Sequence, residues 1–148
     1  MKKLSTKGRY ATRALLDIAL HTEKNPTPLK EIAKRQEISV QYLEHLIGPL
    51  ISAGMINSVR GSKGGVVLVK PPSEIKISEV IRIMEGSTAL VACVDDSGVC
   101  PRSDSCVTRD VWAEIKKATD AILENITLQG LIERQKEKDQ SSVEMFFI

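Results

Sequence analysis

All three cysteines of the chain, Cys93, Cys100 and Cys106, lie in one stretch, C-V-D-D-S-G-V-C-P-R-S-D-S-C, with the spacing C-x6-C-x5-C. Thiolate is a soft donor suited to zinc, copper(I) and iron–sulfur clusters. A segment of Asp, Ser, Gly and Pro bends readily and stays near the surface, so three such donors can converge on one metal centre. Tetrahedral zinc favours paired C-x2–4-C units, which this stretch lacks. The wider spacing suits iron–sulfur ligation better. The same residues also allow thiol redox without metal, or a loop with one disulfide and a spare thiol.

The rest of the chain must hold this loop. Its 148 residues are 42% apolar and 27% charged, enough for one fair core. There is no run of 18 apolar residues, so no membrane span is expected. The basic start M-K-K-L-S-T-K-G-R has no apolar h-region, so no signal peptide is expected. A reducing cytoplasm is then the expected location, which disfavours structural disulfides. The net charge of +2 conceals a division: residues 1–70 carry 12 Lys and Arg against 5 Asp and Glu, a net of +7, and residues 71–148 a net of −5. A basic half joined to an acidic half points the first toward a polyanion.

Residues 1–13 hold Lys2, Lys3, Lys7, Arg9 and Arg13 and no acid. Ser5 or Thr6 can cap a helix starting near Lys7, with Ala11, Ala14, Leu15, Ile18 and Ala19 on its core face and His21 at its end. Lys7, Arg9 and Arg13 are left near its exposed start, where they can touch phosphate. After an Asn- and Pro-rich loop, Thr27-Pro28 predicts the N-cap and N1 of a second helix carrying Leu29, Ile32 and Ala33. Ser39 predicts the cap of a third, with Ile38 stapling against Leu43. That helix buries Leu43, Leu46, Ile47, Leu50 and Ile51, is loosened by Pro49 and stops at Gly54. The two short helices form a helix-turn-helix, and Ser39, Gln41, Tyr42, Glu44 and His45 are the residues that enter a major groove.

Met55–Arg60 and Val66–Lys70 are β-rich runs around the turn-forming Gly61–Gly65, a hairpin with Arg60 and Lys63 at its tip. Such a wing can put an arginine into a narrow minor groove. The glycines lack the G-x-x-x-x-G-K-[ST] pattern and precede a strand, so they are not a nucleotide loop. Pro71-Pro72 marks a boundary, followed by a helix from about Ser78 to Glu85 with Ile77, Val80, Ile81 and Met84 inward.

Beyond the cysteines, Val107, Val111, Ile115, Ala118, Ile122 and Ile126 make a narrow stripe on a long helix suited to a second subunit, with Trp112 as a packing anchor. Thr127 predicts the cap of a short last helix through Glu133, followed by a flexible Arg134–Ser142 and a V-E-M-F-F-I tail that is frayed or docked on the partner. The expected class is mostly α with a small β-hairpin wing. Residues 1–70 form the winged helix-turn-helix domain, 71–92 a connecting helix and linker, 93–106 the cysteine loop, and 107–148 the dimerisation helix and tail.

The stretches L-S-T-K-G-R-Y-A at 4–11, I-S-V-Q-Y-L-E-H-L at 38–46, S-V-R-G-S-K-G-G at 58–65, N-I-T-L at 125–128 and the three-cysteine loop carry a resemblance. Nearly end to end, the chain resembles the BadM-type (Rrf-two) winged-helix transcriptional regulators, most closely their iron–sulfur branch. G-P-L at 48–50 and the ending M-F-F-I also look like a cysteine-metabolism repressor of the family that lacks the cluster cysteines.

The resemblance implies that Cys93, Cys100 and Cys106 hold an iron–sulfur cluster, that Ser39, Gln41, Tyr42, Glu44 and His45 read bases, and that Arg60 with Gly61 meets the minor groove. Where the iron–sulfur branch has a histidine completing a 2Fe–2S site, this chain has Arg109. Where the nitric-oxide-sensing branch has an aspartate ligand to a 4Fe–4S cluster, it has Arg9. The first cysteine gap is one residue longer than the branch pattern, and Gln41 and His45 also depart from it. The fourth ligand stays open among Asp96, Asp104, Asp110, His21 and an exogenous thiol. A 2Fe–2S cluster is the first expectation, with 4Fe–4S as the alternative.

The chain is thus expected to be a homodimeric regulator that binds double-stranded DNA under iron–sulfur control. A cluster-free thiol or cysteine-metabolism repressor, or a module that binds a protein partner, are the alternatives. With no C-x-x-C and two histidines, it is not expected to be an enzyme.

Overall fold

The computed structural model describes residues 3–22 and 25–146. Lys2 and the last two residues of the M-F-F-I tail lie outside the described residues. Helix α1 (Thr6–His21) starts where Ser5 caps it, the Ser5 side chain accepting from Gly8 N. Ala11, Ala14, Leu15 and Ile18 are fully buried, which is the face their spacing predicts.

Helix α2 (Leu29–Gln36) and helix α3 (Val40–Ser52) make the helix-turn-helix. Between them Glu37 takes φ +56°, while Ile38 N donates to Ala33 O and Glu37 N to Lys34 O. This pair of bonds closes a helix on a left-handed residue, usually glycine. Ser39 caps α3 by accepting from Tyr42 N at 3.1 Å. The helix runs through Pro49, whose ring sits on its exposed side, and Gly54 follows at φ +75° with Gly54 N donating to Ile51 O and Met55 N to Leu50 O. Ile51, expected inside, is exposed at 36%.

The wing is an antiparallel hairpin of β1 (Ile56–Val59) and β2 (Gly65–Leu68), paired Ile56 to Leu68 through Val59 to Gly65. Thr27 is not the N-cap that the Thr-Pro pair predicts. It pairs with β2 instead, Thr27 N donating to Val66 O at 3.0 Å and Val66 N to Thr27 O at 2.9 Å, and Pro28 takes the cap position without a side-chain bond. Gly65 makes this approach possible, because a Cβ there would lie 2.2 Å from Thr27 O.

Helix α4 (Ile77–Glu85) starts one residue before the predicted Ser78, behind a single 3-10 turn at Pro72–Glu74. The cysteine loop contains a short helix α5 (Ala92–Asp95) and a 3-10 turn at Ser97–Val99. Helix α6 (Val107–Glu124) ends before Ile126, where the predicted stripe ended. Helix α7 (Leu128–Phe146) does not stop at Glu133, and the stretch 134–142 expected to be flexible is helical. That stretch has no Gly or Pro, and Gln135 Nε2 donates to Asp139 Oδ1 at 2.9 Å one turn on, a pairing that supports a helix.

One core joins these parts. Leu43, Ile47, Leu50, Met55, Ile56 and Val66 of the first half cluster with Ile75, Val80 and Leu128 of the second. Ile77 N donates to Ile126 O and Leu128 N to Ile75 O, so the start of α7 is stitched to the start of α4.

Asp17 faces this core from α1 and is only 3% exposed. Arg35 grips it with Nε at 3.1 and 3.0 Å from its two oxygens and Nη2 at 2.6 Å, and Gln36 Nε2 donates at 2.9 Å. The Asp17 carboxylate in turn holds the Arg35 guanidinium above its ordinary pKa. Arg35→Ala leaves that carboxylate buried without its cation and is expected to cost about 3 kcal/mol. Urea unfolding measures the loss, and a loss under about 1 kcal/mol would place Asp17 among surface ion pairs.

Candidate DNA interface and cysteine loop

The first three helices and the wing carry the residues expected to face DNA. Gln41, Glu44 and His45 are exposed on α3, and Ser39 is exposed with its side-chain oxygen engaged in the cap. Tyr42 is half-buried, its ring edge-on to Tyr10 of α1 at 6.1 Å and 87°. Arg60, Gly61 and Lys63 are exposed at the wing tip, where Gly61 has φ +113°, a conformation glycine adopts freely. Lys7 and Arg9 are exposed at the start of α1. None of these five basic or tip residues forms an ion pair among the described residues.

A chain of side-chain contacts links α1 to α3. The Arg13 guanidinium lies 5.0 Å from the Tyr10 ring centroid, and its Nε donates to Gln36 Oε1 at 2.8 Å. Gln36 also binds Asp17, so Asp17, Gln36, Arg13, Tyr10 and Tyr42 form one connected series. The sequence reading missed this series. Its one visible signal was an aspartate next to Ile18 on the core-facing side of α1.

Cys93, Cys100 and Cys106 are free thiols of intermediate burial. Each sits on its own local turn: Cys93 in α5, Cys100 after the 3-10 turn, and Cys106 at the N-cap of α6. Asp96 Oδ1 accepts from Gly98 N, and Ser103 Oγ donates to Cys100 O, so the turns are separately fixed. Among the described residues no three Cys, His, Asp or Glu side chains converge on a metal position. The donor set itself, three free thiols on one loop, fits a soft metal or cluster.

Arg109 ties this loop to α6. Its Nε donates to Cys93 O at 2.9 Å and its Nη1 to Ser103 O at 3.4 Å. The Thr108 hydroxyl, 3.1 Å from Cys106 Sγ, and the Arg109 backbone N–H hold the Cys106 thiol below its ordinary pKa. Of the other ligand candidates, Asp96 is engaged within the loop, and Asp104 and Asp110 are exposed. His21 lies at the C-terminal end of α1, its Nδ1 2.8 Å from Asp17 O.

No residue of α6 is buried. Its stripe is open, with Val107 75% and Ile122 62% exposed, and Val111 and Ile115 exposed with them. Trp112, expected as a packing anchor, is itself 36% exposed. Polar bonds of Glu124 attach the helix to the start of α4, and Asp120 ties it to Thr88 just beyond the end of α4 while pairing within α6 with Lys116. Glu124 accepts from Lys76 Nζ at 2.6 Å and Ser78 Oγ at 2.7 Å, and Asp120 accepts from Lys116 Nζ and Thr88 Oγ1.

Lys76 and then Ser78 hold the Glu124 carboxyl below its usual pKa, and Lys116 and then Thr88 do so for Asp120. A depressed carboxylate adds stability that is present above the ordinary range and lost as pH falls through it. Acidification below about 4 is therefore expected to loosen α6 from α4, read as faster amide exchange over residues 107–124. Glu124→Gln should show less of this acid response, and an identical response would remove Glu124 from the attachment.

The sequence and the fold have counterparts among known proteins. A family model described as Rrf2, iron-dependent transcriptional regulator, matches residues 4–134. Protein rrf2 of Nitratidesulfovibrio vulgaris is 43% identical over 130 residues, covering 88% of this chain and 87% of that protein. The HTH-type transcriptional regulator IscR of Serratia proteamaculans is 41% identical over 133 residues, covering 90% and 80%. Among solved structures, IscR of T. potens superposes with a TM-score of 0.76 at 38% identity, covering 93% of this chain and 90% of that one. CymR of B. subtilis, titled the global cysteine regulator, superposes with 0.77 at 35%, covering 90% and 98%. In the described residues no helix is long and apolar enough to cross a membrane. The chain belongs to the Rrf2 family of helix-turn-helix transcriptional regulators, and it is a DNA-binding protein and not an enzyme.

Proposed function

We propose that the protein is a cytoplasmic, homodimeric repressor or activator that binds specific DNA sequences under the control of an iron–sulfur cluster held by Cys93, Cys100 and Cys106. The observation that carries this reading is the union, in one chain, of three free thiols on a single loop with a helix-turn-helix flanked by exposed basic residues, Lys7 and Arg9 on α1 and Arg60 and Lys63 on the wing. The family's description as iron-dependent supports it. When bound, such a cluster supplies a group whose presence and oxidation state follow iron supply and redox conditions. Arg109 and Ser103 organise the loop that would present the thiols, and the Thr108 contact favours thiolate at Cys106, the form that ligates metal. The open stripe of α6 is the surface on which a second copy of the chain docks.

On this reading Gln41, Tyr42, Glu44 and His45 read bases from α3, with Ser39 fixing its first turn. Arg60 and Gly61 enter the minor groove, and Lys63, Lys7 and Arg9 meet phosphate. The likeness to a global cysteine regulator favours a second reading, a thiol or cysteine-metabolism repressor without a cluster.

Anaerobic purification with iron and sulfide analysis separates the two. About two of each per subunit supports a 2Fe–2S regulator, about four a 4Fe–4S one, and none leaves the second reading. If protein with and without cluster bound every duplex equally, control by the cluster would be refuted, since a ligand that does not discriminate shifts no equilibrium. Glu44→Ala is expected to relax preference at one base pair by about 1–3 kcal/mol, measured by selection from random duplexes. Arg60→Ala is expected to lose preference for A·T-rich flanks, and a uniform loss across sequences would make it a phosphate contact.

A further inference from the structure

The start of α1 is completed by a residue from a distant helix. Glu85, the last residue of α4, accepts from Ser5 N at 3.0 Å and from the Ser5 hydroxyl through the same Oε1. The Ser5 oxygen in turn accepts from Gly8 N at 3.2 Å. The first N–H groups of a helix have no partner within it. A capping box satisfies two of them, with Ser at the N-cap bonding the N3 N–H and Glu at N3 reaching back to the N-cap N–H.

Here the N3 position is Gly8, which has no side chain, and Glu85 does the work of that glutamate from outside. Gly8 leaves the room for it, since a Cβ at Gly8 would lie 2.6 Å from Glu85 Oε1. The capping box is thus divided between two helices.

The turn completed in this way contains no acidic residue, and Lys7 and Arg9 stand on it, both exposed. A carboxylate at a helix N-terminus stabilises that turn through the helix dipole. Basic side chains on an ordered turn also lose less freedom when they meet phosphate than those on a frayed one. We infer that Glu85 is a positioning residue for DNA binding: by completing the cap of α1 together with Ser5 and Gly8, it holds Lys7 and Arg9 where they meet the phosphate backbone. This inference rests on the DNA-binding reading above. Gly86, the next residue, opens the segment that leads to the cysteine loop, so the same contact joins the loop-bearing half of the chain to its DNA-facing half.

The test is equilibrium binding of the full chain to mixed-sequence duplex DNA across a salt series. Wild-type protein without salt-dependent binding would overturn the DNA reading itself. With wild-type binding in place, Glu85→Ala is expected to flatten the slope of log K against log salt by about 0.9 for each phosphate the protein no longer neutralises, to a limit of about two phosphates. Glu85→Gln keeps an oxygen that accepts from Ser5 and is expected to retain the wild-type slope.

Gly8→Ala drives the carboxylate away and is expected to behave as Glu85→Ala, but to change the slope little further when combined with it, because the two act on one interaction. It carries the test if Glu85→Ala does not fold. A residue needed only for stability would lower the melting temperature and leave the slope unchanged, and that result would overturn the inference. Tighter binding in both Glu85 variants would overturn it too, since it would mean the carboxylate does no more than repel phosphate.

Discussion

A carboxylate buried in the middle of a helix must be paired, and in this protein that requirement organises the helix-turn-helix half. Asp17 lies on the core side of α1 among fully buried alanine, leucine and isoleucine. An unpaired charge there would cost several kcal/mol, so the position is tenable only while Arg35 and Gln36 reach it from the end of α2. Because Glu37 and Ile38 follow at once and Ser39 caps α3, fixing the end of α2 also fixes where the next helix begins. Gln36 passes the constraint to Arg13, and the Arg13–Tyr10–Tyr42 contacts bring it to the first turn of α3. Helix α3 is thereby held by apolar packing on one side and by this series of contacts on the other.

The second half of the chain depends on the first in a different way. Helices α4 and α7 contribute Val80 and Leu128 to the shared core, whereas α6 contributes no buried residue. What attaches α6 is polar: Glu124 to the start of α4, Asp120 to Thr88 beyond its end, and Arg109 back to the cysteine loop. Partly exposed hydrogen bonds and ion pairs are weaker than apolar burial and respond to solvent conditions. The loop therefore sits between a core-anchored helix and a lightly attached one whose apolar face is open. A change in the loop meets less resistance from α6 than from α4.

Much of this was legible in the sequence. The face of α1, the Ser5 and Ser39 caps, the hairpin register region and the stop at Gly54 all depend on residues within a few positions of one another. Periodicity, cap chemistry and turn residues report that range. The errors had physical causes of their own. Thr27-Pro28 has the composition of a helix start, but the backbone of Thr27 found a better partner in Val66, where Gly65 let the strand approach. Residues 134–142 looked flexible because they are charged, yet straight-chain side chains without Gly or Pro favour helix once α7 is anchored at Leu128.

What the sequence by itself determined was the set of local elements and the inventory of chemistry: a basic helix-turn-helix with a wing, a loop carrying every thiol, and a long helix with a narrow apolar stripe. Tertiary structure alone decided which distant groups meet. Asp17 with Arg35, Glu85 with Ser5, and Arg109 with the Cys93 carbonyl are joined across 18, 80 and 16 positions. No spacing rule announces such pairs. Burial of the common core brings α2 and α4 against α1 and so places the first two pairs, whereas the third forms outside that core, where a polar group takes whatever partner the packing has left within reach.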